Sequence, residues 1–177
     1  YYQNNLIGFQ TSADDYLQYR PTLINIGLHL AGIEDTQKPK DLVAVFIIGT
    51  GTYTVITQGL KYAVNETRPN GTDHSFPSGH TATAFFGARM LDRSFGKKHP
   101  AIAIGGYALA TATGALRMAN NKHWASDVAM GAAIGIASAE LANWAYPKLK
   151  KSLDKTSLNW EPVVAPNFYA ARVRYAF

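Results

Sequence analysis

Three stretches of this chain hold residue types that together can handle a phosphate. The first runs from Lys61 to Pro69 and places Lys61 and Arg68 seven residues apart. The second is Ser75-Phe76-Pro77-Ser78-Gly79-His80-Thr81. The third holds Arg117, then His123 six residues on, then Asp127 four beyond that. A phosphate monoester dianion is gripped best by charge-assisted, multidentate donors. Lys61, Arg68 and Arg117 supply three cations, two of them planar forks. Each cation taken singly is an ordinary solvated charge. The case rests on all three pointing at one anion.

The second stretch reads as a helix start. Pro77 breaks what precedes it, Ser78 is a strong N-cap, and a run of helix-compatible residues follows from Thr81 to Leu91. The N–H groups near Ser78, Gly79 and His80, with the Ser78 hydroxyl, would then face an anion from the positive end of the helix. His123 and Asp127 share a face if both lie on the last helix. The carboxylate can hold the imidazole in one tautomer and leave the other nitrogen free to attack phosphorus. His80 would protonate the leaving oxygen from the opposite side. The bland reading of the His123–Asp127 pair is a surface ion pair worth about a few tenths of a kcal/mol.

The elements that must carry these residues are helices. Apolar patterning predicts a helix from near Asp41 to Lys61, another from Ser78 to about Ser94–Gly96, a third from about Ala101 to Arg117 and a last from near His123 to Tyr146, ended by Pro147. A short start at Ser12 and a helix through Leu23–Leu30 precede them. Gly131, Ala132, Ala133, Gly135, Ala137 and Ser138 in the last helix permit close helix–helix approach. The tail alternates from Tyr169 to Phe177, as a strand does, and a lone strand needs a partner. The expected fold is an all-α bundle with an extended tail over about 156–177, one domain spanning 1–177.

Composition narrows the class. The 177 residues are 47% hydrophobic and 16% charged, which suits a compact core and excludes disorder. A net charge of +5 favours anionic partners, but no basic run with interleaved aromatics suggests nucleic acid. The lack of cysteine excludes disulfides and thiolate chemistry. The start at Tyr1 without methionine is what removal of a signal peptide, or trimming of a longer chain, would leave. Leu42–Leu60 is uncharged and just long enough to span a bilayer, yet it holds three glycines and four threonines. With a mean hydropathy of −0.12, such stretches read as buried helices of a soluble bundle, with membrane contact as the minor reading.

Together the three stretches resemble the three signature motifs of the type 2 phosphatidic acid phosphatase (PAP2) superfamily, which includes bacterial acid phosphatases, lipid phosphatases and vanadium haloperoxidases. The resemblance covers Lys61 to Asp127 with order and spacing intact. It implies metal-independent hydrolysis of phosphate esters, lipid or polyprenyl phosphates among them, through a phosphohistidine on His123. It further implies His80 as acid and base, Asp127 as orienting carboxylate, and Lys61, Arg68, Ser78, Gly79 and Arg117 as phosphate ligands. No cofactor is expected, vanadate should inhibit, and a periplasmic or other extracytoplasmic site follows from the family. Leu116 departs from the pattern, since the family usually has serine there. The competing readings are a vanadium-dependent haloperoxidase and a non-catalytic phosphate-binding module.

Overall fold

A computed structural model describes residues 9–33, 39–155, 158–165 and 168–175. Its elements are α1 (Ala13–Leu17), α2 (Arg20–Leu30), α3 (Pro39–Val64), α4 (Gly79–Leu91), α5 (Pro100–Ala119), α6 (Ala125–Lys155), β1 (Leu158–Ala165) and β2 (Phe168–Tyr175). A single π-helical turn, Asp92–Gly96, extends α4. The fold is all-α apart from the C-terminal hairpin. The chain packs as two units, Tyr1–Ala142 and Asn143–Phe177.

In the first unit α4 is the hub. Eight of its thirteen residues are buried, from Thr81 to Leu91. Its small side chains bring neighbours close: Ala84 and Ala88 meet Ala110 of α5, with Phe85 and Tyr107 packed alongside. Phe86 packs edge-to-face with Phe46 and tilted against Tyr53, both from α3, with ring centroids 5.5 and 5.2 Å away. The stripe of small residues on α6 does what its composition suggests. A Cβ on Gly131 would stand 2.5 Å from the Ser78 carbonyl, and one on Gly135 would strike the Ala82 carbonyl. Helix α6 therefore lies backbone to backbone against α4, a separation only glycine permits. At the other end of α4, Arg89 bridges Asp92 and Glu140.

Several expectations need correction. Helix α3 is not a buried core helix: only 22% of its apolar window is buried, and Ile47 and Val55 are 68% and 72% exposed. One stripe packs on α4, with Leu42, Val45 and Thr57 buried, while Val43, Ile47 and Val55 remain exposed. Pro147 does not end α6, which runs on to Lys155. Proline forfeits one backbone hydrogen bond, but the Lys- and Leu-rich residues after it are good helix formers. In the second unit the tail strand is not alone. Strand β2 pairs antiparallel with β1, with Leu158 opposite Tyr175 and Ala165 opposite Phe168. Pro162 hid β1, because proline argues against an interior strand, whereas a two-stranded ribbon has an outer edge for it. Phe177, the last residue of the alternating tail, lies outside the described residues.

Candidate active site

The site is assembled from the loop between α3 and α4, the start of α4, the end of α5 and the turn into α6. Lys61, near the end of α3, donates from Nζ to the carbonyls of His74 at 2.8 Å and Ser75 at 3.4 Å. That pins the loop just before Ser75. The Ser75 hydroxyl in turn donates to Asp127 Oδ2, deep in the bundle. The Ser75 N–H donates to the Glu66 carbonyl at 2.7 Å, and the Arg68 N–H to the Thr72 carbonyl at 2.7 Å, so the loop folds back on itself.

Ser78 caps α4 as its sequence predicts. It has extended backbone and its hydroxyl accepts from the Thr81 N–H. Its N–H, however, donates to the Asp127 carbonyl at 3.0 Å, and it is wholly buried. Ser78 thus joins α4 to α6, while its hydroxyl caps the helix start at which an anion would meet the first free N–H groups. The N–H groups of Gly79 and His80 occupy the first two helical positions, where no intrahelical acceptor exists. Added bulk at Gly79 would meet open space, so its face is accessible.

His123 precedes α6 instead of lying on it. The turn still delivers the pairing: Trp124 is the cap, and Asp127, three residues on, reaches back to the Trp124 N–H at 2.8 Å. This is one half of a capping box, since the tryptophan side chain has no acceptor for the reciprocal bond. The same Oδ2 accepts from His123 Nδ1 at 3.2 Å. Asp127 is therefore held by Ser75, Trp124 and His123 together. The Trp124 indole adds a hydrogen bond to the Thr67 carbonyl at 2.9 Å, tying the first motif to the third.

Burial and charge act together on His123, which is 3% exposed. Burial foremost, then Arg117, Lys61, Arg68 and His80, push its imidazole down to about 2, so it stays neutral. All four are close enough for their charge to be felt at this one ring. Arg68 is also lowered, by burial first and then by Arg117. The Nε atoms of Arg68 and Arg117 are buried without a hydrogen-bond partner among the described residues. Clustered cations with orphaned donors are what an anion would satisfy. Among the described residues no group of three carboxylates, histidines or cysteines could hold a metal ion.

Sequence reasoning missed the contribution of α1. Asp14, 1% exposed, accepts from Arg117 Nη1 at 2.6 Å and from Asn120 Nδ2 at 2.9 Å. Asp15 accepts from His80 Nε2 at 2.8 Å. In the sequence the two read only as acidic first-turn residues. Nothing in one chain reveals partners a hundred positions away.

The bundle thus brings together two histidines, a buried carboxylate and three cations, a set whose chemistry suits a phosphoryl group. The PAP2 superfamily model matches residues 70–151, and the chain belongs to that superfamily. It is 36% identical over 138 residues to a lipid A 1-phosphatase of Porphyromonas gingivalis, an alignment that covers 77% of this chain and 31% of that protein. The chain thus spans about a third of the length of this relative. The crystal structure of Aquifex aeolicus LpxE superposes with a TM-score of 0.62 at 24% identity, covering 81% of this chain and 92% of the other. A transmembrane PAP2-type phosphatidylglycerolphosphate phosphatase from Bacillus subtilis gives a TM-score of 0.49 at 21% identity, covering 85% and 94%.

Proposed function

We propose that the chain is a metal-independent phosphohydrolase that removes a terminal phosphate from a lipid at an extracytoplasmic membrane surface, through a phosphohistidine on His123. The observation that carries this is His123 itself, a buried imidazole kept neutral and anchored to Asp127 in the middle of Arg117, Arg68, Lys61 and His80. A neutral imidazole is nucleophilic, and Asp127 on Nδ1 leaves Nε2 for phosphorus. Attack forms the N–P bond as the P–O bond to the leaving alcohol breaks, and His80 gives that oxygen a proton. Water then attacks phosphorus, its proton passes to His80, and the N–P bond breaks to release phosphate. The three cations neutralise developing charge throughout, the role a divalent ion plays elsewhere.

A lipid substrate is supported by the lipid A 1-phosphatase relative and by the uncovered apolar length of α3. That helix, Asp41–Val64, is long and apolar enough to cross a bilayer. Its last turn carries Lys61, so the site would sit where such a span ends, within reach of a lipid phosphate. Vanadate, which mimics five-coordinate phosphorus, would compete. The test is release of phosphate from lipid A and from phosphatidic acid in mixed micelles, with chelator present, for wild type and His123→Ala. Turnover with a trapped phosphoenzyme in wild type only is the expected result. Dependence on added magnesium or zinc would overturn metal independence. Peroxide-driven bromide oxidation after vanadate loading, without phosphatase activity, would favour the haloperoxidase reading.

A further inference from the structure

Helix α1 brings two adjacent carboxylates to the site, and the reaction scheme above uses neither. A helix of five residues has little stability of its own, so its place is set by its contacts. The Thr11 N–H donates to Asn120 Oδ1 at 3.0 Å and Asn120 Nδ2 donates to the Thr11 carbonyl at 2.8 Å, while Asp14 pairs with Arg117. These bonds clamp α1 to the end of α5. A buried carboxylate persists only against a matching cation, and Arg117 supplies it. With Asp14 fixed there, Asp15 is delivered to His80.

We propose that Asp15 is a positioning residue for phosphoryl transfer: it holds His80 through Nε2, leaving Nδ1 to pass the proton, while Asp14 anchors Arg117 and with it α1. The proposal rests on the reading of His80 as the acid. A histidine turning freely could present either nitrogen to the leaving oxygen; a carboxylate 2.8 Å from one nitrogen removes that freedom. In the first step Nδ1–H protonates the departing alkoxide as the P–O bond breaks. In the second, Nδ1 takes a proton from the water attacking phosphorus, and the Nε2 hydrogen bond persists through both. The charged and titratable groups facing His80 are Asp14 and Asp15 from α1, Arg117 from α5 and His123 from the turn before α6. Burial and Arg117 press His80 below the ordinary histidine range, and the hydrogen bond and charge of Asp15 work against them.

Two variants separate charge from geometry. Asp15→Asn removes the charge, Asp15→Ala removes the hydrogen bond as well, and thermal melting checks that both remain folded, as the 55% exposure of this side chain favours. Imidazole NMR titration should show the His80 pKa falling in Asp15→Asn. The basic limb of kcat/KM on an alkyl phosphate should move to lower pH with it. At about pH 7, Asp15→Ala should lose about tenfold on the alkyl ester, a fraction of what the acid itself supplies, and less on nitrophenyl phosphate. Asp15→Glu should restore most of it. A His80 pKa and pH limb that stay in place overturn the role of Asp15, as do equal losses on the two esters. The underlying reading fails differently: there, His80→Ala itself would cost the same on both esters.

Discussion

Gly131→Ala tests whether the contact between α4 and α6 sets the active-site geometry. The added Cβ would stand 2.5 Å from the Ser78 carbonyl oxygen and 3.1 Å from Thr81 Cβ, the first a backbone atom that no rotamer can move aside. Ordinary contact begins at 3.4 Å, so the helices must part locally by about 0.9 Å. The Ser78 N–H to Asp127 carbonyl bond, now 3.0 Å, would lengthen to about 3.9 Å and cease to be a hydrogen bond. Overpacking of this kind costs about 1–3 kcal/mol of stability. Catalysis should suffer by a comparable free energy, because a misplacement of about 1 Å costs on the order of 100-fold in rate, or about 2.7 kcal/mol. The assay is kcat/KM on a lipid phosphate beside thermal melting in detergent, with Gly51→Ala as control. Gly51 has nothing within 4 Å of an added Cβ, and relief of a helical glycine should stabilise α3 by about 0.5–1 kcal/mol without touching activity. Wild-type activity in Gly131→Ala would refute the claim that this contact positions His123 against the start of α4.

Other expectations follow from the same geometry. His80→Ala should cost about 10²–10⁴-fold on an alkyl phosphate and much less on nitrophenyl phosphate, measured in single turnovers, since only the poor leaving group needs the proton. Because His80 is pressed below its ordinary range while His123 stays neutral, wild-type rate should fall as pH rises through the lowered His80 value. Ser75→Ala removes one of three donors to Asp127 and should lower kcat with little change in KM; a change confined to KM would show that Ser75 contacts substrate instead. His123 also links stability to pH. Its folded pKa is depressed, so its contribution is whole above about 6.5 and is lost as pH falls toward the folded value. Urea denaturation should show wild type losing more stability between about pH 7 and about pH 4 than His123→Gln does.

The chemistry of this protein was legible in one dimension because motif spacing encodes it. Three cations, a capped helix start and a histidine followed by a carboxylate announce phosphate whatever the bundle around them, and capping by Ser78 depends only on local backbone. Helix type was likewise local, since apolar period and capping residues decide it. Tertiary structure decided what depends on partners far away in the chain. It gave Ser78's N–H to Asp127, took His123 off the helix, joined Asp14 and Asp15 to Arg117 and His80, and left α3 with an uncovered apolar length. Periodicity shows that a face is apolar, but not whether protein or lipid covers it. An aspartate in a first turn looks the same whether it faces water or a buried arginine a hundred residues on, because only folding brings that arginine to it.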